Sequence, residues 1–268
     1  MGEAYVHGYD AAESVRLADQ ANALADLLHA DTSYPAGSLV LEAGCGTGAQ
    51  TVQLARRSPR AQFVSVDVSS TSLAEAEAKI VAAGLANVRF GQADLFHLRF
   101  GPASFDHVFV CFVLEHLRNP VEALTILRGM LKPGGTITLI EGDHGSAYFH
   151  PDSAAARFAI KCQVRLQRDA GGDATIGRRL YPLLRQAGFA EVRASPRVVY
   201  VDGSRPDLAD SFTRNTFTAM IAGVRDAAIA AGIARGDAFD AGIQALRRAA
   251  EPDGVFCYTF FKAVGTAR

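Results

Sequence analysis

The sequence predicts an α/β fold built on a doubly wound, parallel sheet. Three observations carry this expectation. Between residues 38 and 141, β-branched and aromatic runs alternate with segments of helical period. At Leu39-Val40-Leu41-Glu42-Ala43-Gly44-Cys45-Gly46-Thr47-Gly48 an apolar strand turns through spaced glycines toward a helix. Phe105 to Phe112 is nearly all apolar, as a strand buried on both faces should be.

The elements follow in order. Residues 11 to 30 read as a helix, with Leu17, Ala21, Leu24 and Leu28 on one face and an Asp10/Glu13 capping box. Pro35-Ala36-Gly37 breaks the chain before a first strand, Ser38 to Glu42. A helix follows Gly48, and Gln62 to Asp67 is the second strand. Ser69 caps a helix carrying Leu73, Ala76 and Ile80 that stops at Gly84. Asn87 to Gly91 and Phe105 to Phe112 are strands three and four. Asn119-Pro120 opens a helix, and Lys132-Pro133-Gly134-Gly135 turns into a fifth strand, Thr136 to Glu141. Beyond it come helices over 153 to 170 and 176 to 187, then a strand from Val192 to Val201. Two or three alanine-rich helices over 206 to 250 and a closing strand, Gly254 to Ala263, complete the chain. The sheet needs this last segment, so the helices before it read as an insertion, not a second domain.

Bulk properties narrow the function. The 268 residues fit one large α/β domain with additions, and the formal charge of −1 makes no electrostatic case for nucleic acid or membrane. No apolar run reaches the roughly 18 residues of a membrane span, and no signal pattern is seen at the N-terminus. Cys45, Cys111, Cys162 and Cys257 are scattered and form no C-x-x-C pair. They read as reduced thiols, which points to the cytoplasm.

Glycines at 44, 46 and 48 allow positive φ and let backbone approach a ligand closely. The spacing is G-x-G-x-G, not the G-x-G-x-x-G of dinucleotide binders, although Ala49 leaves an alanine-tolerant dinucleotide register open on this loop alone. Asp67 is placed to accept both hydroxyls of a cofactor ribose, a role common to several nucleotide-bearing cofactors. A strand-end cap for the next helix is its plainer role.

The run Phe105-Asp106-His107-Val108-Phe109-Val110-Cys111-Phe112-Val113-Leu114-Glu115-His116-Leu117, followed by Leu131-Lys132-Pro133-Gly134-Gly135-Thr136, is more specific. It resembles the FD…LEHL…LKPGG signature of the ubiquinone/menaquinone-biosynthesis type of methyltransferase domain, among the class I S-adenosylmethionine (SAM)-dependent methyltransferases. The resemblance covers residues 38 to 141, includes a helix ending in Ala187-Gly188-Phe189, and fades over 1 to 30 and 204 to 250.

The resemblance implies a Rossmann-like, seven-stranded sheet whose last strand is antiparallel. It implies a single domain over 1–268: an N-terminal helical lid (1–35), a SAM-binding core (38–141), and helical insertions (147–176 and 204–250) that cap an acceptor. SAM is then the cofactor. Glu42, Gly44, Cys45, Gly46 and Gly48 would seat its amino-acid part, with Glu42 turned toward the amino group. Asp67 would take the ribose. Asp94 would read the adenine amino group, with Val68 and Leu95 packing the ring and Ala93 beside them in the cofactor site; a surface-loop aspartate is the alternative. Cys111 and Phe112 would lie beside the methionine portion. Glu115 and His116 more often fix the following turn than do chemistry.

Glu141-Gly142-Asp143-His144-Gly145-Ser146 departs from the signature. It lies at the carboxyl end of the predicted fifth strand, facing the crevice where open α/β sheets bind ligands. His144 is a candidate base for an acceptor hydroxyl or amine, with Asp143 or Glu141 orienting the ring. A hydrogen-bonded loop is the alternative. Metal binding by Asp143, His144 and His150 matches no usual zinc spacing, so no metal is expected. Tyr5, His7 and Tyr9 are candidates to contact the sulfonium or the acceptor from the lid, or equally to anchor it. Glu141, Tyr148, Arg178, Arg214, Asn215, Phe217 and Met220 are further acceptor candidates, those of the insertion set against a packed helix face.

The expected activity is transfer of a methyl group from SAM to an oxygen or nitrogen of a small organic acceptor, with carbon and sulfur left open. Helical lids of this kind often pair, which points to a homodimer. The competing readings are a SAM-binding protein without transfer activity and an NAD(P)-dependent reductase.

Overall fold

The computed structural model describes Ala21 and residues 23–268. Tyr5, His7 and Tyr9, the Asp10/Glu13 cap, Leu17, and with them most of the expected lid lie outside the described residues. Leu24 and Leu28 of that predicted helix are buried against the core, Leu28 within the short helix Ala25–His29.

The strands are β1 (Leu39–Ala43), β2 (Gln62–Asp67), β3 (Val88–Gln92), β4 (Phe105–Cys111), β5 (Leu131–His150), β6 (Ala190–Asp202) and β7 (Val255–Thr266). They form one seven-stranded sheet in the order β3-β2-β1-β4-β5-β7-β6. β1 to β5 pair in parallel. β7 runs antiparallel to both β5 and β6. The expected Rossmann-like topology with an antiparallel last strand is what is found.

Local chemistry sets the connections. Gly48 (φ 77) ends the glycine turn and opens the helix Ala49–Arg57. The Ser69 hydroxyl accepts from Ser72 N–H and caps Ser70–Ala82. Pro120 opens Pro120–Met130, where its missing N–H costs nothing. The Ser153 hydroxyl caps Ala154–Asp169. Each sheet face buries its own apolar cluster. One is rich in aromatics and includes Phe63, Phe109, Phe212, Phe239, Phe256 and Tyr258. The other holds Leu41, Val108, Leu124, Leu127 and Leu183.

Most boundaries move by one or two residues, but two segments need correction. The fifth strand does not stop at Glu141. Glu141, Gly142 and Asp143 pair with Phe261, Phe260 and Thr259, and after an irregularity Tyr148 to His150 pair with Cys257 to Val255. What the glycines marked as a loop is therefore largely strand, because β7 supplies backbone partners up to Asp143 and again from Tyr148. The 206–250 insertion is also less regular than alanine-rich helices would be. Ala209–Thr218 is π-helical, between short helical pieces, and only Gly236–Arg248 is a long regular helix there. Among the described residues no helix is long and apolar enough to cross a membrane, and no group of three or more His, Cys, Asp or Glu is placed to hold a metal.

Candidate active site

The glycine turn sits at the carboxyl ends of β1, β2 and β4, and its three glycines do different work. Gly44 (φ 78) lies against Val113, so that a Cβ there would overlap the valine side chain. Gly48 packs on the helix behind it: an added Cβ would come within 2.9 Å of the Ala76 Cα. Gly46 (φ 51) has, among the described residues and its own chain neighbours aside, no atom within 4 Å of where a Cβ would stand. That open direction is the one a ligand can use, and it leaves the Gly46 backbone exposed to close approach.

Two carboxylates frame the turn. Asp67 Oδ2 accepts from Gly46 N–H at 2.8 Å, and Oδ1 accepts from Ser69 N–H at 2.9 Å. Asp67 thus ties the glycine turn to the β2 end, and each oxygen keeps a second lone pair for a ribose hydroxyl. Glu42 is buried behind the turn. Its Oε2 accepts from the Thr51 hydroxyl at 2.7 Å and the Ser65 hydroxyl at 2.6 Å. Burial pushes the Glu42 carboxyl up to about 7, against the two hydroxyl hydrogen bonds and helped by the Asp67 charge. The peptide N–H groups of Gly44 and Cys45 both donate to Val66 C=O, at 2.8 and 3.0 Å, which leaves Cys45 buried in the turn.

The outer wall is built on β3 and the residues after it. Val68 is 55% exposed, a large apolar side chain standing free beside the turn. Ala93 N–H donates to Asp67 C=O at 3.0 Å, which registers the two loops. Asp94 caps the single turn Leu95–His97: Oδ1 accepts from Phe96 N–H, and Oδ2 meets His97 Nδ1 at 2.9 Å. Leu95 is buried beneath. Across the turn, Cys111 ends β4 and Phe112 takes φ 58, a left-handed conformation that a bulky residue holds only where its surroundings enforce it. The Phe112 ring lies 5.5 Å from that of Phe260.

At the end of β5 the candidates separate. His144 and Asp143 are neighbours in a strand and so project to opposite faces. Asp143 does not orient His144. Its carboxylate takes a bidentate pair from Arg178, 2.6 Å from Nε and 2.7 Å from Nη2, and a third bond from Gly145 N–H. The His144 ring is held instead by Tyr258, whose hydroxyl stands 2.8 Å from Nδ1. Phe217, from the π-helical segment, packs its ring 6.0 Å away. Glu141 is fully buried; its Oε1 accepts from Val113 N–H at 3.0 Å and Leu114 N–H at 2.8 Å, so it shapes the loop after β4. Tyr148 is 71% exposed, Asn215 is exposed, and Arg214 is committed to Asp210 and Glu251. Among that insertion's candidates, Phe217 packs its ring on His144.

The comparisons agree with this geometry. A family model described as a methyltransferase domain matches residues 40–135. A demethylmenaquinone methyltransferase of Lactococcus lactis is 30% identical over 188 residues, covering 62% of this chain and 73% of the relative. A trans-aconitate 2-methyltransferase of Deinococcus radiodurans is 32% identical over 156 residues, 57% of this chain and 55% of the relative. The chain spans about half the length of several curated relatives that it matches. Among solved structures, a phosphoethanolamine N-methyltransferase of Haemonchus contortus, in complex with phosphomonomethylethanolamine and S-adenosylhomocysteine, shares the fold. Its TM-score is 0.59 at 16% identity, over 96% of this chain and 58% of that one. The [4+2]-cyclase SpnF shares it too, with a TM-score of 0.57 at 21% identity, over 92% and 80%. The chain belongs to the class I SAM-dependent methyltransferases. SAM is accordingly its cofactor, and the open Gly46 backbone between Asp67 and Phe112 fits such a group.

Proposed function

We propose that this protein transfers a methyl group from SAM to an oxygen or nitrogen of a small organic molecule. The observation that carries the reading is Gly46: its backbone is held by Asp67 while its open side faces no atom of the described residues. Gly44, Cys45 and Gly46 would seat the amino-acid part of the cofactor, with Glu42 behind them. Asp67 would accept the ribose hydroxyls, and Val68, Ala93, Asp94 and Leu95 would hold the adenine. Cys111 and Phe112 would flank the methionine end. When bound, the cofactor supplies a methyl group on a sulfonium, already activated for displacement.

The remaining work falls to this chain's residues. They orient the acceptor in line, exclude water, and receive a proton where the acceptor is protonated. Orientation of this kind accounts for ~7–11 kcal/mol in the best intramolecular reactions. The aromatic wall of Phe112, Phe217 and Phe260 supplies apolar, water-excluding surface. With Nδ1 engaged by Tyr258, the proton transfer at His144 is assigned to Nε2. Asp143 serves at one remove, holding Arg178 and the strand end.

The same reading treats the helices within 147–176 and 204–250 as an acceptor cap on one domain. It sets the protein in the cytoplasm, as a homodimer, without nucleic acid as a partner. A SAM-binding protein without methyl transfer is the second reading, favoured by the shared fold with a cyclase. Incubation with methyl-labelled SAM and a fractionated small-molecule extract, read by mass spectrometry, separates the two. A labelled product supports transfer. S-adenosylhomocysteine binding with no labelled product in any fraction supports the second reading.

A further inference from the structure

His144 is only 6% exposed, yet the proton transfer assigned to it requires contact with the acceptor. One neighbour is part of the sheet: Tyr258, on β7, bonds Nδ1. Another, Phe217, belongs to the irregular segment of the capping insertion. Its ring lies 6.0 Å from that of His144, and 4.7 and 5.3 Å from those of Phe256 and Tyr258. Phe212, five residues earlier, packs on the same two β7 rings at 6.1 Å each.

The winding of the segment explains why both rings reach one face. Ala209–Thr218 is π-helical, and i→i+5 bonds set residues five apart one above the other. The Thr216 hydroxyl takes the same step, donating to Ser211 C=O, five residues back, at 2.8 Å. An α-helix advances about 100° per residue, so five residues end roughly 140° from where they began. In α winding Phe212 and Phe217 could not both stay on β7.

The π winding also leaves polar groups unserved. Thr213 and Thr218 are buried, and neither hydroxyl has a hydrogen-bond partner among the described residues. In α winding each would meet the carbonyl four residues back, that of Ala209 or of Arg214, a bond threonine hydroxyls commonly make. The two ends of the segment differ. Ahead of Phe212 the chain is tied to β6: Arg205 N–H donates to Asp202 C=O at 3.0 Å, and Arg205 Nη1 to Tyr200 C=O at 3.2 Å. Beyond Phe217, the helix Ala219–Gly223 breaks at Val224, with φ −94 and ψ 7. A change of winding is taken up at that joint, so Phe217 is the ring that leaves.

We propose that residues 209–218 are the gate of the acceptor site. In the π-wound state Phe217 covers His144; rewinding toward α swings Phe217 away and opens His144 to the acceptor. The gate rests on the reading of His144 as the base.

Chemical labelling tests it without turnover. The full chain is treated with diethyl pyrocarbonate at pH 7, and the rate of modification of each histidine is read by peptide mass spectrometry. Exposed His97 sets the open rate. His29, fully buried and bonded to Gln50, reports general unfolding. His144 should label at least about tenfold more slowly than His97 but faster than His29, as local opening lies between free exposure and global unfolding. Phe217→Ala removes the cover and should speed His144 several-fold relative to His29. Deletion of the exposed Asn215 puts Phe212 and Phe217 four residues apart, so α winding itself keeps both rings on β7. His144 should then label more slowly than in the wild type. Labelling of wild-type His144 at the rate of His97 or of His29 overturns the proposal. So does a His144 rate that Phe217→Ala leaves unchanged relative to His29, or an Asn215 deletion that labels no more slowly than the wild type. Equal turnover of wild type and His144→Ala would instead overturn the reading of His144 as the base.

Discussion

Replacing Gly46 and Gly48 in turn by alanine separates a glycine that faces a ligand from one that faces the protein. Both have positive φ, so either substitution puts an L-residue in the left-handed region, at about 1–2 kcal/mol. For Gly46→Ala the cost ends there, because the new Cβ meets no atom of the described residues within 4 Å. In a chain of this size that lowers Tm by only a few degrees. Gly48→Ala adds an overlap with the Ala76 Cβ at 2.8 Å and Cα at 2.9 Å, part of which is backbone that cannot swing aside. Overpacking of this sort costs a further ~1–3 kcal/mol. Ligand affinity should rank differently. The Gly46 methyl stands in the open direction assigned to the cofactor, so S-adenosylhomocysteine should bind at least about tenfold more weakly, ~1.4 kcal/mol. Differential scanning fluorimetry gives the stabilities and isothermal calorimetry the affinities. If Gly46→Ala binds S-adenosylhomocysteine as the wild type does, the assignment of that open side to the cofactor is wrong.

Three further outcomes follow from the geometry. Glu42, at about 7, binds its proton more readily in the folded chain than in the unfolded one. Its contribution to stability therefore falls as pH rises from about 4.5 to 7, so Glu42→Gln should gain on the wild type by up to about 3 kcal/mol between pH 5 and pH 8 in urea unfolding. A gap that is flat with pH would refute this. Arg178→Met leaves the buried Asp143 carboxylate without its bidentate partner. Arg178 is half-exposed, so the loss should be about 2–3 kcal/mol, below the 3–5 of a fully buried pair, and an unchanged urea midpoint would contradict it. His144→Ala should lower turnover by about 10²-fold or more if Nε2 moves the proton, with Tyr258→Phe intermediate and the affinity for S-adenosylhomocysteine unchanged in both. Equal turnover in wild type and His144→Ala would remove His144 from the chemistry.

The parallel half of the sheet is legible because each strand carries its own signal. Gln62 to Asp67 has the right period, Ser69 and Gly84 bracket the next helix, and Gly44 to Gly48 mark the turn. The far half depends on pairing over long separations. Asp143 pairs with Thr259 across the whole C-terminal insertion, so nothing near Gly142 or Gly145 announces a strand. The same distance hid Tyr258. His144 invites an acidic neighbour for its ring, and Asp143 is adjacent in sequence, but strand alternation sends that carboxylate to Arg178. The left-handed backbone at Phe112 has no sequence signal, since phenylalanine is a residue that avoids it. It arises from Glu141, which holds the next two N–H groups, and from Phe112 N–H bonded to Ile140 C=O at 3.0 Å. Gln163 and Gln167 carry no local sequence signal of burial; they are buried because Ala154–Asp169 packs against Gly236–Arg248 and Gln167 bonds Glu115.

The most direct test of the central claim is a calorimetric titration of the wild-type chain with S-adenosylhomocysteine, with NADH as the control ligand. The account predicts saturable binding of S-adenosylhomocysteine, lost or greatly weakened in Asp67→Ala, and none of NADH. Binding of NADH with no response to S-adenosylhomocysteine would contradict it.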